Sequence, residues 1–284
     1  MSAVATGLDH VGIAGPDLDA LAAQWERLGF TLAPYARHAG PAGPDGAVVA
    51  YATANRCIML EDGYVELIAV VDAAAPGNMI GRHLARGPGV HILALGIDDP
   101  DANLVRLRAG GLAVPGVALL ERPVDAARPD GPRARFARLP LPEAPEGHVM
   151  LIRHLTPEAI WRPDLIGHRN AVVALESVTL VADDPAASAA RLARLAGHPL
   201  RPDPAGGFRL DLPRGQVRIL PPAAAPAPPP YGLPWIGALT LRTADGTAAL
   251  RACLADAGVP FAATPEGVLV LPEHTGGPVL LFTG

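Results

Sequence analysis

His10, Glu66 and His91 are the residues of this chain whose types could do chemistry together. Two imidazoles and one carboxylate make a facial set for a divalent ion, with positions left open, and suit Zn, Ni, Mn or Fe. His10 opens the apolar run "DHVGIA", His91 stands near the start of "GVHILALGI", and Glu66 lies inside "YVELIAVV". A carboxylate within so apolar a run is costly to bury without a partner, so Glu66 carries the most weight. Tyr64 alternates with Glu66 along the same strand and shares its face.

The elements that must bring these residues together recur. The opening segment "DHVGIAGPDLDALAAQWERLGF" reads as an apolar strand, a turn, and an amphipathic helix ended by glycine. Leu18, Leu21, Trp25 and Leu28 fall at helical spacing on one face, and Asp17 is placed to cap the helix. Similar units begin at Gly89, Glu176 and Ile236, each followed by shorter strand-like runs split by Gly and Pro. Four copies of a strand–helix–strands unit define a repeat architecture. Aligning the first strands sets His10 against His91, with Ser177 in the third copy. Aligning the last strands sets Glu66 against Met150 and Arg218. The pattern breaks near residues 155–172, and "PPAAAPAPPPYGLP" from Pro221 reads as a stiff linker between the third and fourth units.

Composition narrows the function. Net charge is -5 and all 23 basic residues are arginine. The absence of lysine removes Schiff-base chemistry. No basic face suggests a nucleic-acid partner. Cys57 and Cys253 form no disulfide framework, and Cys57 reads as inert core. No apolar stretch reaches the roughly 18 residues of a membrane span. With no leader segment visible, a cytoplasmic protein is expected.

The stretches "LDHVGIAGPDLDAL", "TANRCIMLEDGYVELIAV" and "RHLTPEAIWRPDLIGHRNAV" resemble the vicinal oxygen chelate superfamily, and within it the glyoxalase-like domain group. The resemblance implies an α+β fold of four βαβββ modules paired into two domains with cupped mixed sheets. Residues 1–160 would form the domain with the site, and residues 161–284 a degenerate second domain. It also implies a divalent metal held from the first and last strands of two modules. Carried over, that gives His10, Glu66 and His91, with Met150 at a fourth place that suits no hard ion. Asn55, Arg56, Tyr64, Met150, His154 and Trp161 become candidate substrate contacts. His168 and Asn170 are read as ambiguous, and His38, His83, His198 and His274 as surface or loop residues.

The resemblance implies a metal-dependent lyase or isomerase acting on a small oxygenated substrate, with Glu66 doubling as the base. Two readings stand beside it: a non-haem iron dioxygenase, and a protein that binds a small molecule without chemistry. A small-molecule substrate is the expected partner. Modules of this kind can also pair between chains, which leaves a homodimer open.

Overall fold

The computed structural model describes residues 3–42, 46–141 and 144–284. The first module comprises β1 (Ala5–Ala14), α1 (Leu18–Arg27), β2 (Ala36–Ala42), β3 (Ala47–Met59) and β4 (Tyr64–Val70), followed by the short helix α2 (Met79–Leu84). The second comprises β5 (Gly89–Ile97), α3 (Pro100–Ala109), β6 (Ala118–Pro123), β7 (Arg133–Pro140) and β8 (His148–His154), followed by the turn-length α4 (Pro163–Ile166). The third contains β9 (Val172–Val181), α5 (Pro185–Ala196), β10 (Leu200–Pro202), β11 (Phe208–Asp211) and β12 (Gln216–Leu220). The fourth contains β13 (Trp235–Thr243), α6 (Ala248–Asp256), β14 (Ala262–Thr264), β15 (Gly267–Val270) and β16 (Val279–Thr283). The four βαβββ modules expected from the repeats are therefore present.

Each module pairs its first strand in parallel with its last, as β1 does with β4 and β5 with β8. The first strands of modules one and two pair antiparallel, and so do those of modules three and four. The order across the first two modules is β6-β7-β8-β5-β1-β4-β3-β2. A bridge of Ile236 with Val90 joins this sheet to that of the last two modules, and an isolated bridge pairs Asp62 with Ala174 on β9.

Local chemistry explains the repetition. Asp17, Asp99 and Asp184 each cap the helix of their module by accepting from backbone N–H groups of its first turn. Leu18, Leu21, Trp25 and Leu28 are buried as their spacing predicts. The Trp25 indole donates to Thr275 O at 3.0 Å, tying the first module to the fourth. Gly63 and Gly147 open the last strands of the first two modules with φ of +78° and +130°. A Cβ at Gly147 would lie 2.5 Å from His91 O, so only glycine fits there.

Two bulges interrupt the central pairing of β1 with β5. Leu8 pairs with Leu95 and His10 with Ala94, so Asp9 is extra on β1. Gly12 pairs with Ile92 and Ile13 with Val90, so His91 is extra on β5. A bulged residue leaves the alternation of its strand and its side chain is re-aimed. Both residues matter at the site.

Candidate active site

The cup of the N-terminal sheet encloses a cavity of about 650 Å³. His10, Tyr64 and Glu66 on β1 and β4 line it together with His38, Thr53 and Asn55 from the β2–β3 hairpin. The second module contributes mainly apolar wall, with Ile92, Phe136, Met150 and Ile152. Residues of the loop before α2, among them Pro76 and Asn78, close one side.

His10 is 3% exposed and stacks on Tyr64 with ring centroids 4.3 Å apart. Its Nδ1 lies 2.7 Å from Asp9 Oδ1, and His154 Nε2 reaches the same oxygen at 3.0 Å. Burial alone would raise the Asp9 pKa. The His154 charge and the hydrogen bonds of His10 and His154 outweigh it and hold Asp9 well below the usual carboxylate range. An ionised carboxylate only accepts, so the Nδ1 of His10 carries the proton and Nε2 presents its lone pair to the cavity. The bulge at Asp9 is what lets two consecutive residues meet in this way.

Glu66 is 7% exposed. Asn55 Nδ2 donates to its Oε1 at 2.5 Å and lies 3.0 Å from His38 Nε2. His38 Nε2 also lies 3.3 Å from Glu66 Oε1, and His38 Nδ1 lies 2.8 Å from Thr53 Oγ1. Desolvation by burial would raise Glu66, but the hydrogen bond of His38, the positive charge that His38 and His10 carry when protonated, and the Asn55 bond overcome it and lower its pKa to about 2. The remaining oxygen, Oε2, lies 4.0 Å from His10 Nε2. Two acceptors therefore face each other across a gap too wide for a hydrogen bond.

His91 does not join them. It lines no part of this cavity; its Nε2 lies 2.8 Å from Gly87 O, and its ring stacks between His83 and Tyr231 at 5.5 Å from each. The β1–β5 register sets Ala94, not His91, across from His10. Tyr231 belongs to the Pro-rich segment, which is held by Arg86 donating to Gly232 O and Pro234 O, so this segment packs against the first half rather than merely spacing the modules. Burial lowers the His91 pKa to about 4, and the imidazole is neutral at pH 7. Replacing His91 by Ala is expected to cost about 2–3 kcal/mol of stability through lost packing. It should leave any divalent-ion affinity as in the wild type, which paired urea melts and metal titrations will check.

The chemistry of the donors tests whether a divalent ion fits. Imidazole and carboxylate are suitable ligands. Two ligands at about 2.1 Å on a tetrahedral ion would lie about 3.4 Å apart, closer than His10 and Glu66 stand. Asn55 engages Glu66 Oε1 and His38 Nε2, and His91 points elsewhere. Among the described residues no three His, Cys, Asp or Glu side chains are grouped to hold an ion. The set His10, Glu66 and His91 does not fit a metal centre.

The other expected contacts divide. Asn55, Tyr64 and Met150 line the cavity. Arg56 does not, because it donates to Ala33 O and pairs with Glu26. His154 and Trp161 line a second cleft of about 320 Å³, which Asp9 also borders. Trp161 donates to Leu60 O at 2.9 Å. His168 and Asn170 are structural: His168 accepts from Thr31 N and Asn170 donates to Leu28 O. The Cys57 thiol is pushed up to about 12, first by burial and then by Glu66, and is inert. Ser177, in the third module, donates to Thr240 at 2.8 Å. Sequence reasoning missed His38, Thr53, Arg122 and Arg138 as cavity residues. Only the proximity of β2 to "TANR" in a hairpin could have signalled His38.

Residues 8–196 match the family described as a glyoxalase-like domain. No curated protein matches the sequence. Among solved structures, a hypothetical protein from Staphylococcus aureus superposes with a TM-score of 0.66 at 13% identity, over 97% of this chain and 98% of that one. A Mn(II)-bound glyoxalase from Novosphingobium aromaticivorans gives 0.59 at 15% identity, over 99% and 82%. A mutant of 4-hydroxymandelate synthase from Streptomyces coelicolor gives 0.58 at 16% identity, over 92% and 78%. At such identities the likeness is one of fold. Among the described residues no helix is long and apolar enough to cross a membrane.

Proposed function

This chain belongs to the glyoxalase-like domain family of the vicinal oxygen chelate superfamily, and from that premise we propose that its N-terminal cavity moves a proton on a small oxygenated substrate, in a lyase or isomerase step. The observation that carries the reading is the pair of acceptors, His10 Nε2 and Glu66 Oε2, 4.0 Å apart and open to the cavity. A substrate O–H or acidic C–H placed there meets groups able to take its proton.

His10 is the base in this reading. Glu66, lowered to about 2, is a weak one. When His10 Nε2 takes the proton, the imidazolium lies between two ionised carboxylates, Asp9 at 2.7 Å and Glu66 at 4.0 Å. Their charge stabilises the step at a site where His10 and Glu66 are both buried. The proton then returns to another substrate atom in an isomerisation, or to the leaving group in an elimination. Asn55 and His38 hold Glu66 in place. Proton transfer of this kind needs no ion. The dioxygenase reading took His91 as its second imidazole, and His91 lies outside the cavity, where the imidazoles beside Glu66 are His10 and His38.

Exchange of C–H for C–D next to a carbonyl tests the reading. Small 2-oxo and 2-hydroxy compounds would be incubated with the protein in D2O and followed by proton NMR. His10→Gln is expected to slow exchange by about 10²–10⁴-fold. Ser177→Ala, in the other half of the molecule, should leave it unchanged. Exchange by His10→Gln at the wild-type rate, or none by the wild type across the panel, would overturn the proposal.

A further inference from the structure

The imidazole–carboxylate group occupies one wall of the cavity. In the sheet, β1, β5 and β8 separate the strand of Glu66 from that of Arg138, which lines the cavity beside Phe136 on β7. Arg138 Nε is buried with no hydrogen-bond partner, and no carboxylate among the described residues forms an ion pair with it. The nearest acidic lining residue on β6, Glu121, is engaged by Arg133 and Arg135. His148, on the neighbouring strand β8, is held neutral at pH 7 by burial and by the Arg138 charge, so it is no counter-ion, and its Nε2 is also buried without a partner. Desolvation depresses the Arg138 pKa, partly offset by Tyr51, as expected of a cation lacking a counter-ion.

A half-buried guanidinium with a buried Nε–H that meets neither carboxylate nor hydrogen-bond acceptor destabilises the fold unless something repays it. Nothing among the described residues does, and the cavity is where a ligand would. Guanidinium geometry matches a carboxylate with two parallel N–H···O bonds. Ile92, Leu120, Phe136 and Ile152 form apolar wall in the same cavity.

We propose that Arg138 anchors the substrate's carboxylate, so that the cavity takes a small organic acid with an apolar body and an oxygenated reacting carbon remote from the anchor. This rests on the reading that the cavity binds the substrate, but not on His10 being the base.

Calorimetric titration of the full-length protein with hexanoate and with hexanamide, equal in shape and different in charge, tests it. The wild type should bind hexanoate at least tenfold more tightly. Arg138→Met should lose that preference while melting, without ligand, at or above the wild-type temperature, because it removes an uncompensated cation. Arg138→Lys should keep part of the preference. His10→Gln should keep it whole, so that failure of the base assignment is separable from failure of the anchor. The proposal is overturned if the wild type does not discriminate, if Arg138→Met still does, or if Arg138→Met melts several degrees lower, which would make Arg138 a structural residue. Inorganic phosphate displacing hexanoate at a lower concentration than acetate needs would reassign the anchor to a phosphate-bearing ligand.

Discussion

Lowering the pH from 6.5 to 4 is expected to remove about 3 kcal/mol of stability through His91 alone, and somewhat less again through the more exposed His148. Burial lowers both imidazoles to about 4 from an ordinary 6.5, with the charges of His83 and Arg86 adding to the effect at His91, and those of Arg138 and His83 at His148. The sign follows from which state takes the proton first. In the unfolded chain each imidazole is protonated as the pH falls through 6.5, whereas the folded protein resists until about 4. Between those values the unfolded state binds more protons, so stability falls with pH and levels off below 4. Glu66 acts in a lower window: its pKa is depressed, so its contribution is present above 4.5 and lost between there and about 2. Urea melts at pH 7, 5.5 and 4.5 measure the first window. His91→Phe keeps a ring in the stack with His83 and Tyr231 and cannot titrate. It should therefore flatten the loss above pH 4.5, and an unchanged slope in that variant would remove His91 as the cause.

The same residue shows where sequence reading stops. The modules were legible because Gly, Pro and capping Asp residues punctuate each copy, and these act locally. His10, Tyr64, Asn55 and Glu66 were legible because alternation along β1, β3 and β4 is mostly regular where they stand. His91 was matched with His10 by residue type, but bulges at Asp9 and His91 shift the register, and the partner across the pair is Ala94. One residue of slip turns a side chain to the other face. Nothing in "GVHILALGI" announces the bulge. His38 was hidden differently: "ARHAGPA" has no hydrophobic period to mark a strand, so the imidazole read as loop. Arg138 stands in "RARFARLP" with Arg133 and Arg135, which are exposed. Alternation sets Arg138 on the face of Phe136 and opposite to Arg133 and Arg135, but nothing in the run tells that this face is the one turned toward the cavity, which tertiary packing decides.

Asp9→Leu is expected to lower stability by about 3 kcal/mol or more, although the substitution is apolar and the site is buried, with Asp9 only 7% exposed. One oxygen, Oδ1, serves both His10 Nδ1 and His154 Nε2. Leucine would leave both imidazole N–H groups buried without an acceptor, and each such orphan costs about 1–3 kcal/mol. His154 Nδ1 already has no partner, so that ring cannot recover by changing tautomer without orphaning its other nitrogen. Asp9→Asn separates charge from geometry. The asparagine oxygen can still accept both bonds, so the loss of stability should be much smaller than in Asp9→Leu. What asparagine cannot do is stabilise a protonated His10. Its effect should therefore fall on proton exchange in the cavity, with substrate affinity kept, while Asp9→Leu lowers stability as well. Denaturant melts and exchange rates measured on the two variants side by side distinguish these roles. Equal stability in Asp9→Leu and Asp9→Asn would mean that the bulged carboxylate is not what fixes the two imidazoles.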